Sequence, residues 1–134
     1  MKQKTINIVG RDVTLAYCYA TEIGYKELSG QDITDFMPEV LEAIQHDRLP
    51  DVKKTIYIVL ASILAYYQAK GEEPPVKDTD LMNEISPVEL GTAFGTVLTL
   101  RQQFYQLPAG EAEVPDGVPD GSPSGRKKTR AKNS

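Results

Sequence analysis

Residues 55–68 read TIYIVLASILAYYQ. Ile56, Val59, Leu60, Ile63, Leu64 and Tyr67 recur at helical spacing, while Tyr57, Ile58, Ala61, Ala65 and Tyr66 cover most of the opposite side. A helix that is apolar nearly all round is buried among other elements. Its apolar run, residues 56–67 broken only by Ser62, falls well short of the ~20 residues that cross a bilayer. Pro50 and Asp51 open this helix, and Lys70 and Gly71 close it. The stretch therefore predicts a central helix around which the remaining elements must pack.

Upstream, residues 5–9 (TINIV) alternate apolar and polar with β-branched side chains, and Gly10, Arg11 and Asp12 supply turn chemistry. Val13 to Leu15 resume the extended pattern, so a β-hairpin over residues 4–15 is expected. Two strands alone are marginal, so the hairpin must lie on helices. Helical composition begins at Ala16 and runs to Leu28, where Ser29 and Gly30 stop it. Gly24 weakens this helix by ~1 kcal/mol relative to alanine. A second helix starts near Thr34 or Asp35 and carries Phe36, Val40, Leu41 and Ile44 on its apolar side, with Pro38 in its first turn. His46, Asp47 and Arg48 end it.

Downstream of the central helix, residues 72–75 (EEPP) form a loop, and a short helix fits residues 79–85. Ser86, Pro87 and Glu89 then read as an N-cap, a first-turn proline and a capping-box glutamate. The helix they begin should reach about Gln106, before Pro108, with Leu90, Phe94, Val97, Leu98, the Arg101 stem and Phe104 toward the core. Gly91 and Gly95, four apart, suggest close approach of another backbone on that face. From Pro108 periodicity is lost. VPDG occurs twice, at 114–117 and 118–121, and a Ser/Pro/Gly stretch leads to a basic end. That composition buries too little apolar surface to offset its ordering entropy, so disorder is expected there.

The expected fold class is thus mainly α, with some β: an N-terminal hairpin on a bundle of four to five helices. One globular domain spans residues 1–107, with helices over 16–107, and a disordered tail spans 108–134. At 134 residues the chain is long enough for one modest domain. Up to Leu107 there are ten Lys or Arg against fifteen Asp or Glu; all five later positive charges fall in the last nine residues. An acidic body has no general attraction for nucleic acid or an anionic membrane, and only the basic tip could supply one. Met1, Lys2, Gln3 and Lys4 lead into no long apolar segment, which argues against a secretory signal and for a soluble intracellular protein.

Residues that could carry catalysis are few. Cys18 is the single cysteine, so no internal disulfide can form, and it reads as a small buried hydrophobe rather than a nucleophile. His46 sits at a polar helix end with no Ser or Cys neighbour in sequence to activate. Asp78, Asp80 and Glu84, following Glu72 and Glu73, lack the spacing and central glycine of a calcium loop. Residues 91–95 (GTAFG) are no phosphate loop, since no GKS or GKT follows. No cofactor or metal is expected. The basic tip, GRKKTRAK at 125–132, has no interleaved aromatics, which removes the stacking signature of single-strand binders. Tyrosines are more informative: Tyr57 and Tyr66 on the central helix and Tyr105 on the last either fill the core or leave an apolar partner surface. Both readings stand at this point.

The order of these segments, LAYCYATEIGYKELSGQDITDFM (15–37), TIYIVLASILAYYQ, and SPVELGTAFGTVLTLRQQFYQLPAGE (86–111), resembles the tail assembly chaperones of long-tailed bacteriophages. It is most similar to versions carried by phages and prophages of gut Bacteroidetes-type hosts, over residues 12–111. The resemblance implies a non-enzymatic helper in the host cytoplasm. Such a helper coats the long, aggregation-prone tape measure protein, helps recruit tail-tube subunits, and is absent from the mature virion. It also implies that a longer frameshifted form can be appended to the tail, with Lys127 and Lys128 compatible with a slippery codon run. The family transfers no defined binding residues. Physical reasoning places client contact on the apolar surface of the third and last helices, at Tyr57, Ile58, Tyr66, Tyr105 and Leu107, where amphipathic client helices would dock. Self-association is compatible with this arrangement, and no membrane partner is expected.

Three other readings remain open: a regulatory or nucleic-acid-associated phage protein acting through the basic tip, a structural head–tail component, and a small enzyme using Cys18 or His46.

Overall fold

Two consecutive residues with positive φ, Val9 at 52° and Gly10 at 76°, start the architecture. They form the two-residue loop whose twist matches that of paired strands. The structure, a computed structural model, describes residues 1–106; the expected tail and Leu107 lie outside the described residues. Strand β1 (Lys2–Ile8) pairs antiparallel with β2 (Arg11–Tyr17), with Ile8 opposite Arg11 and Lys2 opposite Tyr17. The turn therefore falls at Val9 and Gly10 rather than over residues 10–12. Ile8, Val13, Leu15 and Tyr17 are completely buried on one face. On the other face, Thr5 and Thr14 hydroxyls lie 2.7 Å apart across the ladder.

The second strand continues through Ala16 and Tyr17, where a helix was expected to begin, because both side chains are locked in the core. Helix α1 (Tyr19–Ser29) starts only after Cys18. Thr21 organises that junction: its hydroxyl accepts from the Cys18 N–H at 3.2 Å and donates to the Ala16 carbonyl at 2.9 Å. Gly30, at φ 77°, ends α1 as the sequence suggested.

Helix α2 (Ile33–Gln45) buries Ile33, Phe36, Val40 and Ala43. Its start is set by Ile33, which the core needs, and Asp32 accepts the first backbone bonds from Asp35 and Phe36. Pro38 consequently lies in the second turn, not the first, and removes a helical hydrogen bond there. Helix α3 (Val52–Lys70) is the central helix. The Asp51 side chain accepts from the Lys54 N–H at 3.0 Å, and Gly71 closes the C-terminus in the left-handed conformation. Nine of its residues are buried; the buried hydroxyls of Thr55 and Ser62 donate to carbonyls one turn back. Its close approach to α1 occurs at Gly24, where a Cβ would lie 3.5 Å from that of Ala61.

Helix α4 (Asp78–Glu84) is one short element that buries Leu81. Asp80 accepts from the Lys77 N–H and reaches Arg11 at 3.3 Å, which accounts for one member of the acidic cluster. Helix α5 (Pro87–Tyr105) begins with a reciprocal capping box. The Glu89 N–H donates to Ser86 Oγ at 3.1 Å, and the Ser86 N–H donates to Glu89 Oε1 at 3.2 Å. The second oxygen, Glu89 Oε2, accepts from the Val9 N–H at 3.0 Å and ties the hairpin turn to this helix. Leu90, Ala93, Phe94, Val97 and Leu100 of α5 enter the core, while Leu98 and Phe104 pack at its margin.

The fold is thus a two-stranded N-terminal hairpin followed by five helices, as the sequence implied. Met1–Phe104 forms one compact unit, and a second unit begins at Tyr105.

Candidate partner-binding surface

The central helix does not present the expected surface. Ile58 is only 1% exposed and belongs to the core. Tyr57 is half-buried against that core, with the Lys53 ammonium 5.8 Å from its ring centroid. Tyr66 packs edge-on against Tyr67, with centroids 4.9 Å apart, and Lys70 sits over its outer side. Nine residues along a helix is two and a half turns, so Tyr57 and Tyr66 face opposite directions, about 13 Å apart along the axis. They cannot belong to one binding face. Tyr105 ends α5 and is 49% exposed. Within Met1–Phe104, Tyr57, Ile58 and Tyr66 are not brought onto one exposed face.

A contiguous apolar surface forms instead where α2 ends and α5 begins. Met37, Leu41 and Ile44 follow one another at i, i+4 and i+7 on α2, so they make a single ridge. Met37 packs against the core margin, whereas Leu41 is 58% and Ile44 is 54% exposed. Ile44 shares a shallow depression of about 460 Å³ with Leu49, Pro87 and Val88, and Val88 is 79% exposed. Asp47 and Arg48 form its polar rim. Asp47 adopts φ 54° in the turn that follows α2, and Leu49 beyond it packs against the core margin beside Ile44.

The sequence sets Leu41 and Ile44 at helical spacing with Phe36 and Val40, but that apolar arc of α2 is wider than the face the core accepts. The small residue Ala43 is buried in their place. That arc was visible; its rotation toward the core was not. Val88 carried a weaker signal, since an apolar side chain in the first turn of a capped helix points away from the following stripe.

Neither Cys18 nor His46 lines the three depressions described among residues 1–106. His46 lies at the exposed end of α2, with Nδ1 3.0 Å from the Glu42 carbonyl. Cys18 is half-buried at the N-cap of α1 rather than fully buried, and its Sγ is 4.0 Å from the Thr21 hydroxyl. Among the described residues, no group of three or more His, Cys, Asp or Glu is arranged to hold a metal ion. Among the same residues, no helix is long and apolar enough to cross a membrane.

Fold and surface define a small hairpin-plus-helices protein with an exposed apolar ridge on an acidic body. No protein-family profile, curated protein or solved structure matches the chain.

Proposed function

We propose that this chain is a tail assembly chaperone of a long-tailed bacteriophage or prophage. In this reading it works without catalysis in the host cytoplasm, binds the tape measure protein, keeps it soluble, helps recruit tail-tube subunits, and leaves before the virion is complete. The observation that supports the reading is the ridge of Leu41 and Ile44 with Val88 beside it, on a chain of net charge −4. Apolar ridges of this size accept one face of an amphipathic helix through anchors at i, i+3 or i+4, and i+7. A long helical client would offer many such faces, so weak single contacts would sum through multivalency. Acidic surfaces would keep loaded complexes apart.

The test is co-expression of the chain with any tape measure protein found encoded near its gene, measuring the soluble fraction of the client. Solubility should rise with the parent chain and fall back with the double variant Leu41→Lys, Ile44→Lys. Because both side chains are exposed, that variant should keep the parent melting temperature within a few degrees. Client solubility that is indifferent to the chain, or the chain's presence in purified virions, would overturn the proposal.

A further inference from the structure

The free edge of β1 is unlike the rest of the molecule. In the observed register, Ile8 and Arg11 form a hydrogen-bonded pair next to the two-residue loop, and pairing type alternates from there. The N–H and C=O groups of Gln3, Thr5 and Asn7 therefore point away from β2. Among the described residues, none of these groups has a hydrogen-bond partner. The opposite edge is treated differently: the outward Thr14 N–H on β2 donates to the Tyr67 hydroxyl at 3.2 Å. At the turn, the outward Val9 N–H donates to Glu89. Among the described residues, the outward row of main-chain groups on β1 has no partner, whereas on β2 the Thr14 N–H and the Ala16 carbonyl are bonded.

A groove of about 490 Å³ runs beside that row, between β1 and α5, within the size range of recognised binding clefts. Gln3 and Lys4 line it from the strand, and the helix side runs from Thr92 past Gly95 to Leu100 and Gln103. A Cβ built on Gly95 would meet nothing within 4 Å, so the space above it is open. The Thr96 and Thr99 hydroxyls donate to the Thr92 and Gly95 carbonyls of their own helix. The helix wall therefore offers a side-chain amide at Gln103 and the Thr92 hydroxyl, while the strand edge offers the regularly spaced main-chain donors and acceptors.

Charge selects the occupant. α5 carries no charged side chain between Glu89 and Arg101, the charged residue of β1 that lines the groove is Lys4, and Lys2, two residues away, shares its face of the strand. This is a positive strip on a chain of net charge −4. A second copy pairing β1 to β1 would bring four lysines together with no carboxylate on either strand, which disfavours self-pairing. Lys2 and Lys4 are two residues apart and so project to the same side of the strand.

We infer that the β1 edge is a docking strand for an extended, acidic segment of a partner protein, with carboxylates at alternate positions facing Lys2 and Lys4. Main-chain hydrogen bonds to Gln3, Thr5 and Asn7 would supply affinity, as in other cases of strand addition to a sheet edge. This site is separate from the Leu41–Ile44 ridge and stands whether or not the chain is a chaperone.

The test uses the full chain and a fluorescent seven-residue probe of valine and threonine with glutamates at its third and fifth positions. A matched probe has lysines there. Anisotropy should show binding of the glutamate probe alone, weakening as salt is raised. Lys2→Glu with Lys4→Glu should reduce its affinity about tenfold. Gln3→Pro, which removes one outward N–H and no ladder bond, should reduce it about fivefold. Neither change touches the core, and retained circular dichroism and melting temperature would check this. Absence of binding, equal binding of both probes, or affinity unchanged in both variants would overturn the inference. A concentration-dependent dimer abolished by Gln3→Pro would also overturn it, by assigning the edge to a second copy.

Discussion

Glu89 closes two structures with one carboxylate. It completes the capping box of α5 through Ser86 and holds the N–H of Val9, a β-branched residue in a conformation it rarely adopts. Hydrogen bonds from the Ser86 backbone, then the Val9 backbone, favour the charged form and hold its carboxyl below the ordinary value of 4.5. The stability this group contributes is therefore complete above that ordinary value and is lost as pH falls through the lower folded-state value. Glu89→Gln should melt at a lower temperature than the parent at pH 7, and the gap should narrow at pH 3; thermal melts at the two pH values read this directly. Ile58 and Leu41 make a second contrast at this scale. Ile58→Ala should cost about 2–4 kcal/mol in urea unfolding, because a buried aliphatic side chain leaves a cavity. Leu41→Ala should stay within about 0.5 kcal/mol, since its side chain is largely in water.

Among the elements, glycine placement separates contact from open space. Gly24 on α1 faces Ala61 on α3, and the two helices meet there. Gly91 and Gly95 have nothing within 4 Å of a built Cβ, so the close packing their spacing suggested does not occur. Spacing of small residues reports what a helix permits, and only the position of the neighbour says what is used. Gly91→Ala should accordingly stabilise the protein by about 1 kcal/mol in denaturant titrations, through helix propensity alone. Gly24→Leu should destabilise it by about 1–3 kcal/mol by forcing α1 away from α3. Both glycines sit in helix interiors, so a propensity argument without neighbours would give them the same sign.

For Met1–Phe104 as a unit, the hairpin is held to the helices by side chains far away in sequence. Val9 meets Glu89 across 80 positions, and Thr14 meets Tyr67 across 53. Tyr67→Phe should therefore speed amide exchange at Thr14 while leaving the ladder amides of Val13 and Leu15 protected; hydrogen exchange followed residue by residue would show it. In the parent chain, Gln3, Thr5 and Asn7 should exchange faster than Lys4, Ile6 and Ile8 of the same strand, because their N–H groups face outward. The sequence by itself determined the elements and most of their ends: the two strands, the Asp51 and Gly71 caps of α3, and the Ser86, Pro87 and Glu89 start of α5. These depend on residues within about four positions of one another, and so can be read from a local pattern. Tertiary structure alone decided that β2 runs to Tyr17, that Ala43 rather than Leu41 or Ile44 faces the core, that Ile58 is inside, and that the open groove lies along β1. Each depends on which distant surface meets a given face, and an apolar arc wider than its contact leaves that choice to packing.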